Sequence, residues 1–378
     1  MPTTRIAIVG AGLSGLYAAY LLEQQGIKDY VLLEARETLG GRIVSTPVTE
    51  TPTQRIVSNA IETDRVDLGP TWFWPGYQHQ LASLVDDLGL ESFAQHETGD
   101  TVVERSPQEL PMRVRGYVNS PTSMRLIGGL GALTDAIHRR LNATHIYTGQ
   151  TVRRLSRSGQ HVALDTVDAA HGAATTWHVE HVLLALPPRL LMSNIEFVPP
   201  LPPALAQQWR ATATWMAPHA KYIAVYDAPF WRDQGLSGEA RSARGPLGEI
   251  HDASMPGGSA ALFGFFGVPA QVRQSVPEDA LRAHCRAQLV RLFGSQAENP
   301  KVDFIKDWAL DPCTAVAADL ESGGQHPQAP ASTAASGPWG VRFTGIGSEW
   351  SPQFPGYVAG AIEAASLGVE RWLAGNTA

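Results

Sequence analysis

A glycine-rich loop between an apolar strand and a helix constrains this chain more than any other feature. The run GAGLSG, residues 10–15, follows a short apolar segment that ends at Val9. It precedes a stretch with helical apolar spacing that begins at Leu13 and is stopped by Gly26. A second apolar strand is predicted over residues 30–33. Strand, helix and strand within so short a span predict a parallel pair joined by a right-handed crossover.

The three glycines of this loop have the spacing G-x-G-x-x-G, which is typical of dinucleotide-binding sites. Gly10 allows a tight turn, Gly12 lets backbone approach a pyrophosphate, and Gly15 lets the helix lie close to the strand. Glu34 ends the second strand, where a carboxylate can accept a hydrogen bond from a ribose hydroxyl and would repel a 2′-phosphate. A turn without a ligand is the alternative, but it does not explain the strand, helix, strand and acid in this order.

A second glycine pair indicates which dinucleotide is bound. In the run EARETLGGR, Gly40 and Gly41 offer another close backbone approach, and Arg42 offers a planar cation for phosphate oxygens. A solvated turn is the alternative interpretation. At this distance after Glu34, the pattern resembles the flavoprotein extension of the motif and favours FAD over NAD.

Composition excludes several other classes of protein. The 378 residues carry a formal net charge of -7, which gives no basic face for nucleic acid. Two cysteines cannot form a disulfide framework, and the first residues lack a signal-peptide pattern, so a cytoplasmic location is expected. The longest apolar run, residues 260–270, is too short for a membrane span. The histidines lack metal-ligand spacing, and no metal site is predicted.

The chain resembles the flavin-containing amine oxidase family over nearly its whole length. The resemblance is carried by the runs IAIVGAGLSGLYAAYLL, EARETLGGR, VDLGPTWFW, SMRLIGGLGAL, HVLLALPP, KYIAVYDAPFW and GSEWSPQFPGYVAGAIEAA. It implies an α/β fold with a Rossmann-type FAD-binding domain, of the GR2 type seen in p-hydroxybenzoate hydroxylase and monoamine oxidase, and an interleaved α+β substrate domain. The expected extents are 1–75, 125–190 and 304–378 for the FAD-binding domain, and 76–124 and 191–303 for the substrate domain.

The resemblance also implies noncovalent FAD held by residues from both ends of the chain. The expected cofactor-binding residues are Gly10, Gly12, Leu13, Ser14, Gly15, Glu34, Ala35, Arg36, Gly40, Gly41, Arg42, Gly69, Pro70, Thr71, Val152, Trp308, Gly347, Ser348, Glu349, Tyr357 and Val358. Within this set, Glu349 is expected on a ribityl hydroxyl. The N-terminus of the last helix is expected near the pyrimidine end of the flavin, where its dipole stabilises negative charge.

The implied reaction is removal of a hydride equivalent from the carbon that bears the amine nitrogen, which gives an imine. No strong acid or base is required, and aromatic side chains are expected to hold a neutral amine against the flavin. The candidates are Tyr357, Phe354 and Trp72. Packing in the core is the alternative role for each of them, and for Trp72 the two roles are equally compatible with the sequence.

Three positions depart from the family pattern. The cysteine that bonds the flavin in monoamine oxidase falls on Val316, and Cys313 is interpreted as a small apolar residue. The aromatic that should follow this cysteine is absent from residues 315–318. The family lysine near flavin N5, sought just past residues 262–266, is not found at residues 268–270. The sequence therefore predicts that the reduced flavin reacts slowly with oxygen.

Three functions remain open at this point. The first is an FAD-dependent oxidase or dehydrogenase of a small amine, with oxygen or an unidentified redox partner as electron acceptor. The second is a flavin-dependent desaturase of the protoporphyrinogen oxidase type. The third is a catalytically idle FAD-binding subunit.

Overall fold

The computed structural model describes residues 2–48, 63–321, 326 and 328–376. The chain forms two units, each built from separated segments. The first unit comprises Met1–Arg42, Leu133–Ala217 and Asp311–Ala378, and the second comprises Ile43–Ala132 and Pro218–Leu310. Residues 43–75 belong to the second unit in this division, although the sequence places them with the FAD-binding segments. The functional extents of the domains stay a prediction.

The described residues contain nineteen strands and ten α-helices. The strands are β1 Thr3–Val9, β2 Tyr30–Leu33, β3 Ser45–Pro47, β4 Arg65–Asp67, β5 Ser92–Ala94, β6 Asp100–Glu104, β7 Met112–Arg115, β8 Met124–Leu126, β9 Ile146–Tyr147, β10 Gln150–Ser158, β11 His161–Asp168, β12 Ala174–Leu184, β13 Glu196–Val198, β14 Ala220–Tyr226, β15 Leu236–Ser242, β16 Leu247–Asp252, β17 Ala260–Phe266, β18 Val302–Asp307 and β19 Phe343–Gly345. The helices are α1 Leu13–Gln24, α2 His79–Asp87, α3 Gly131–His138, α4 Pro188–Asn194, α5 Pro203–Ala211, α6 Phe230–Asp233, α7 Ala270–Gln274, α8 Glu278–Phe293, α9 Ala317–Glu321 and α10 Val358–Asn376. None of these helices combines the length and apolarity that a bilayer crossing requires.

The first unit is organised around a sheet of eight strands. Its order is β13-β10-β11-β12-β1-β2-β9, with β19 also paired to β12. β1 lies between two parallel neighbours, β2 and β12, whereas β10, β11 and β12 form an antiparallel meander. Because β1 and β2 are buried on both faces, they form continuous apolar runs, as parallel strands do. The predicted crossover from β1 through α1 to β2 is present.

Glycines bring both terminal helices of the first unit close to the residues they cover. A Cβ added at Gly15, in α1, would lie 1.9 Å from the carbonyl oxygen of Gly10. A Cβ added at Gly368, in α10, would lie 2.2 Å from Cγ2 of Ile346. Neither position accepts a larger side chain without moving the helix, so the start of α1 and the body of α10 have fixed positions.

The second unit contains a sheet of seven strands in the order β18-β14-β17-β16-β15-β6-β7. β14, the second strand from one edge, is buried along its whole length. Its alternating side chains divide between two apolar clusters. Tyr222 and Ala224 pack on one face, and Ile223 and Val225 pack on the other. Lys221 follows the alternation of Ile223 and Val225, which places a cationic side chain on an otherwise apolar face.

A buried histidine joins two strands of the first unit. His181, on β12, lies 3.0 Å through Nδ1 from the carbonyl oxygen of Val341 and 3.1 Å through Nε2 from Oγ1 of Thr344. Because a carbonyl only accepts, Nδ1 carries the proton and Nε2 accepts from the hydroxyl. Burial lowers the pKa of His181 to about 4.

Acidification should therefore destabilise the protein through His181. Between pH 6.5 and pH 4 the unfolded chain binds a proton at this histidine that the folded chain does not bind. The free energy of unfolding therefore decreases as the pH is lowered through this window. Relative to His181→Gln, the wild type should lose about 2 kcal/mol between pH 7 and pH 4.5 in urea unfolding. His161→Gln, at an exposed position on β11, is the matched control. Parallel losses in all three proteins would contradict this account.

Candidate active site

The first glycine loop is packed against the second glycine pair through backbone atoms. The amide of Gly40 donates to the carbonyl of Ala11 at 2.9 Å. A Cβ added at Gly41, where φ is +61°, would lie 3.0 Å from Cα of Gly12. At Gly12 itself the nearest heavy atom to an added Cβ is 3.8 Å away. The backbone at the start of α1 is thus bare of side chains, which is what a pyrophosphate needs in order to reach the helix amides.

Glu34 fixes the shape of this loop. Its side chain is 4% exposed, and its two carboxylate oxygens accept from the amides of Ala11 at 2.7 Å and Arg36 at 2.9 Å. The carboxylate therefore already supports the glycine loop at the place where a ribose hydroxyl is expected. The neighbouring Arg36 donates to Asp311 at 2.7 Å and to Thr314 at 3.2 Å, so its guanidinium is used within the protein.

The two glycine-marked loops at opposite ends of the chain meet through an ion pair. Nη1 of Arg42 donates to Oε1 of Glu349 at 2.7 Å, and Nη2 donates to the hydroxyl of Ser348 at 3.2 Å. The side chain of Glu349 is fully buried. An added Cβ at Gly347 would lie 3.1 Å from the carbonyl of Leu186, so only glycine allows this approach without a shift.

The remaining expected cofactor residues of the first unit fall into two groups. Leu13 and Ser14 begin α1 and Val358 begins α10, so their backbone amides belong to first helical turns. Ala35 directly follows Glu34, whereas Val152 packs in the core of the eight-stranded sheet. Two helix N-termini, a bare glycine backbone and a buried carboxylate are the groups that a dinucleotide with a ribityl chain would require. The first unit fits FAD on these grounds.

Tyr357 lies in an aromatic cluster that the sequence analysis missed. Its ring is stacked on His326 with centroids 4.8 Å apart, and its hydroxyl is 3.2 Å from Nε2 of that histidine. Trp215 contacts both, with centroids 5.1 Å from Tyr357 and 3.6 Å from His326. Two aromatic side chains from distant parts of the chain thus contact Tyr357 directly. Phe354 is half-buried, and its carbonyl accepts from the amide of Tyr357.

The second unit contains the other expected residues. Nε1 of Trp72 donates to Gln95 at 2.8 Å, and its ring meets His251 edge-on at 4.9 Å. This side chain is half-buried rather than part of the fully buried core. Trp308 is buried and donates from Nε1 to the carbonyl of Leu68 at 3.2 Å. It therefore supports the turn that contains Gly69, Pro70 and Thr71.

Lys221 is the titratable group of this turn, and the sequence analysis did not assign it. Its Nζ lies 2.8 Å from the carbonyls of Asp67 and Gly69 and 2.7 Å from Oγ1 of Thr71. Burial lowers the pKa of the lysine to about 7. No lysine follows β17 at residues 268–270, but Lys221 on β14 is the cross-strand neighbour of Phe265. The expectation of slow reoxidation rested on residues 268–270, and Lys221 is a further candidate for the family lysine from another strand of the same sheet.

Comparison with known proteins agrees with this geometry. The family model "Flavin containing amine oxidoreductase" matches residues 111–371, and the model "NAD(P)-binding Rossmann-like domain" matches residues 8–88. The chain is 22% identical to a probable flavin-containing monoamine oxidase A of Dictyostelium discoideum, with 95% of each chain covered. It is 23% identical to the putrescine oxidase of Kocuria rosea, with 85% of this chain and 86% of that protein covered.

Solved structures share the fold. A putrescine oxidase bound to putrescine superposes with a TM-score of 0.77 at 20% identity, covering 98% of this chain and 99% of the other. The cyclohexylamine oxidase from Brevibacterium oxydans IH-35A superposes with a TM-score of 0.77 at 18% identity, covering 99% of both chains. These likenesses bear out the α/β fold with a Rossmann-type FAD-binding domain. Because the family model matches residues 111–371, which is more than half of this chain, the chain belongs to the flavin-containing amine oxidoreductases, which use FAD to oxidise amines.

Proposed function

We propose that this protein is an amine oxidase that binds FAD noncovalently, oxidises a small amine and passes the electrons to molecular oxygen. The observation that carries the proposal is Lys221, a buried amine at the turn of Gly69 and Thr71. A lysine close to flavin N5 is what the family resemblance associates with reaction with oxygen. Neither a desaturase nor an idle binding subunit is favoured by the family match.

The first unit would hold the cofactor through backbone and carboxylate groups. The amides that begin α1 would bind the pyrophosphate, Glu34 the adenosine ribose and Glu349 the ribityl chain. When bound, FAD supplies the acceptor for the hydride of the amine. The positive end of α10 would favour negative charge in its vicinity, because the first amides of a helix have no intrahelical acceptors.

The cluster of Tyr357, Trp215 and His326 would form the wall that receives the substrate. Aromatic rings provide an apolar surface for a neutral amine, whose lone pair stays free. They can also accept an ammonium group, because the face of the ring attracts positive charge. The contact between the Tyr357 hydroxyl and His326 fixes the orientation of the tyrosine ring. The wall thus positions the amine, and no residue of it is required to take up covalent chemistry.

Cys313 supports a noncovalent cofactor. Burial raises the pKa of its thiol, with the charge of Arg36 opposing the rise, so the thiolate form is disfavoured. Thiolate is the form that reacts with electrophiles. The side chain is therefore interpreted as a half-buried apolar residue beside the Arg36–Asp311 pair.

Replacement of Glu34 by glutamine should weaken FAD binding. A charged acceptor contributes about 1.5–3 kcal/mol, so the dissociation constant for FAD should rise about 10- to 100-fold. Flavin released by acid into the supernatant measures occupancy, and Glu37→Gln, an exposed carboxylate of the same loop, is the control. Unchanged occupancy in Glu34→Gln would contradict the placement of the ribose, and a yellow acid pellet from the wild type would contradict noncovalent binding.

Replacement of Lys221 by methionine should separate the two half-reactions. Anaerobic bleaching of the flavin by an amine should persist, whereas reoxidation in air should slow about 10- to 100-fold, as expected for the loss of a charged hydrogen-bonding group. Lys306→Met is the matched control, because this lysine lies opposite Lys221 on β18. Stopped-flow absorbance measures both steps. Equal reoxidation rates in wild type and Lys221→Met would refute the assignment.

An acidic cluster on the same sheet face favours a substrate with a second positive charge. Glu249 is the cross-strand neighbour of Phe265, which in turn neighbours Lys221, so the three lie in one row. Glu239 and Glu249 share the guanidinium of Arg241, so the cluster is net negative when His251 is neutral. Although burial alone would raise it, the pKa of the Glu249 carboxyl is held low by His251 and Arg241. A diamine fits this arrangement.

The diamine proposal predicts a difference between two substrates of equal length. Putrescine should have a lower KM than n-butylamine, because only putrescine has a second ammonium group. Glu249→Gln should raise the KM for putrescine about tenfold, as expected for the loss of a charged hydrogen bond, and leave that for n-butylamine nearly unchanged. Steady-state oxygen consumption measures both constants. A similar change for both amines would show that Glu249 does not contact the distal ammonium.

A further inference from the structure

The environment of Lys221 accommodates both of its charge states. An ammonium has three hydrogens to donate, and three acceptors surround Nζ: the carbonyls of Asp67 and Gly69 and the hydroxyl of Thr71. A neutral amine has two hydrogens and a lone pair. The two carbonyls can take the hydrogens, and the Thr71 hydroxyl can rotate to donate to the lone pair. Hydrogen-bond geometry therefore does not decide the charge of this lysine.

Two buried residues of opposite charge flank Lys221 in the second unit. The carbonyl of Asp67 accepts from the lysine Nζ. Arg125 donates to Ala253, which belongs to the same apolar cluster as Phe263, the ring under that Nζ.

Asp67 is 5% exposed, and its Oδ1 accepts from the amide of Leu130 at 2.9 Å and from Ser45. Its Oδ2 is buried and has no hydrogen-bond partner among the residues that the structure describes. The aspartate thus has one oxygen used in the fold and one whose charge is not compensated by a direct contact.

Arg125 has a similar arrangement. It is 2% exposed, and its two terminal nitrogens donate to the carbonyls of Ser254 at 3.0 Å and Ala253 at 2.9 Å. Its Nε is buried without a hydrogen-bond partner within the described part of the chain. Both terminal contacts are to neutral carbonyls, so neither of them neutralises the positive charge of the guanidinium. Because this charge is buried, where the effective dielectric constant is low, it acts strongly on neighbouring charged groups.

We propose that Asp67 and Arg125 are positioning residues that set the charge of Lys221, Asp67 favouring the ammonium and Arg125 favouring the neutral amine. The inference rests on the proposed role of Lys221 in amine oxidation. Neither side chain donates to or accepts from the lysine Nζ in the contacts above, so each acts through its charge. The balance between these two charges then decides in what fraction of the enzyme molecules Lys221 is protonated near neutral pH.

The pKa of Lys221 is consistent with this balance. Burial lowers it to about 7, the charge of Asp67 opposes this fall and the charge of Arg125 adds to it. Burial also raises the pKa of the Asp67 carboxyl, while Ser45, Lys221 and Arg125 act in the opposite direction. A lysine that titrates near pH 7 responds to a change of one neighbouring charge with a large change in its protonated fraction.

The other charged groups of this sheet face are used in contacts of their own. Lys306 lies opposite Lys221 in the sheet register, but its Nζ is over the ring of Trp308 at 4.3 Å. The carboxylate of Glu249 is hydrogen-bonded to Nε2 of His251 at 2.7 Å and to Nη1 of Arg241 at 2.5 Å. Asp252 pairs with Leu262 and therefore lies on the opposite face of the sheet, where it accepts from Arg232 at 2.8 Å. Asp67 and Arg125 are thus the charges whose removal should act on Lys221 in opposite directions.

The test measures the titration of Lys221 directly. The chain has only four lysines, Lys28, Lys221, Lys301 and Lys306, so protein labelled with [ε-¹³C]lysine gives few resonances. The resonance that disappears in Lys221→Met identifies the buried one. In Asp67→Asn, which keeps an oxygen for Leu130 and Ser45, the titration midpoint should fall by about one pH unit. In Arg125→Gln it should rise by about one pH unit, and in Arg125→Lys, which keeps the charge, it should stay within a few tenths of a unit.

The design separates an electrostatic role from a structural one. Opposite shifts in Asp67→Asn and Arg125→Gln support the proposal, whereas equal midpoints or shifts in the same direction overturn it. If Asp67→Asn does not fold, a shift in Arg125→Gln that is absent from Arg125→Lys still decides the question. The pH profile of flavin reoxidation should move with the midpoint. Because the NMR titration needs no substrate, failure to oxidise any amine would refute the proposed function without changing the titration result.

Discussion

The fold of the first unit depends on a buried ion pair between positions that are 307 residues apart in sequence. Glu349 is fully buried, and its charge is compensated by Arg42 from the other end of the chain. A buried carboxylate without its partner costs about 3–5 kcal/mol, so neither loop is stable in this position without the other. The same pair brings the glycine loop before α1 and the loop before α10 together. A cofactor with two distant halves requires this kind of connection.

Local sequence patterns predicted the elements that hold the nucleotide. β2 has the predicted bounds, and α1 begins at Leu13 as predicted and ends before the predicted stop at Gly26. These elements have strong apolar periodicity and glycines whose conformations are required by close backbone contacts. The position of Glu34 at the end of β2 could be predicted for the same reason. Its bond to the amide of Ala11 could not, because this contact closes only when the loop has folded.

The residues that the sequence analysis missed come together through tertiary pairing. Lys221 lies beside Phe265 because β14 and β17 are antiparallel neighbours, and counting along one strand cannot show this. Trp215 and His326 are separated from Tyr357 by 142 and 31 residues, and no local pattern relates them. An apolar strand that begins with a lysine was the available signal. A cation on the buried face of a strand is costly unless its donors are satisfied, so such a residue is a candidate for a functional site.

The division of each unit into separated segments has a consequence for synthesis on the ribosome. β1 is translated early, but β12, one of its two parallel neighbours, lies in the segment that starts at Leu133, and β19 follows only after Asp311. β12 thus lacks its partner β19 until the segment that begins at Asp311 has been made. In the second unit, β6 likewise waits for β15. Strand edges that are paired in the finished sheets are exposed throughout this interval, which makes the incomplete chain prone to aggregation.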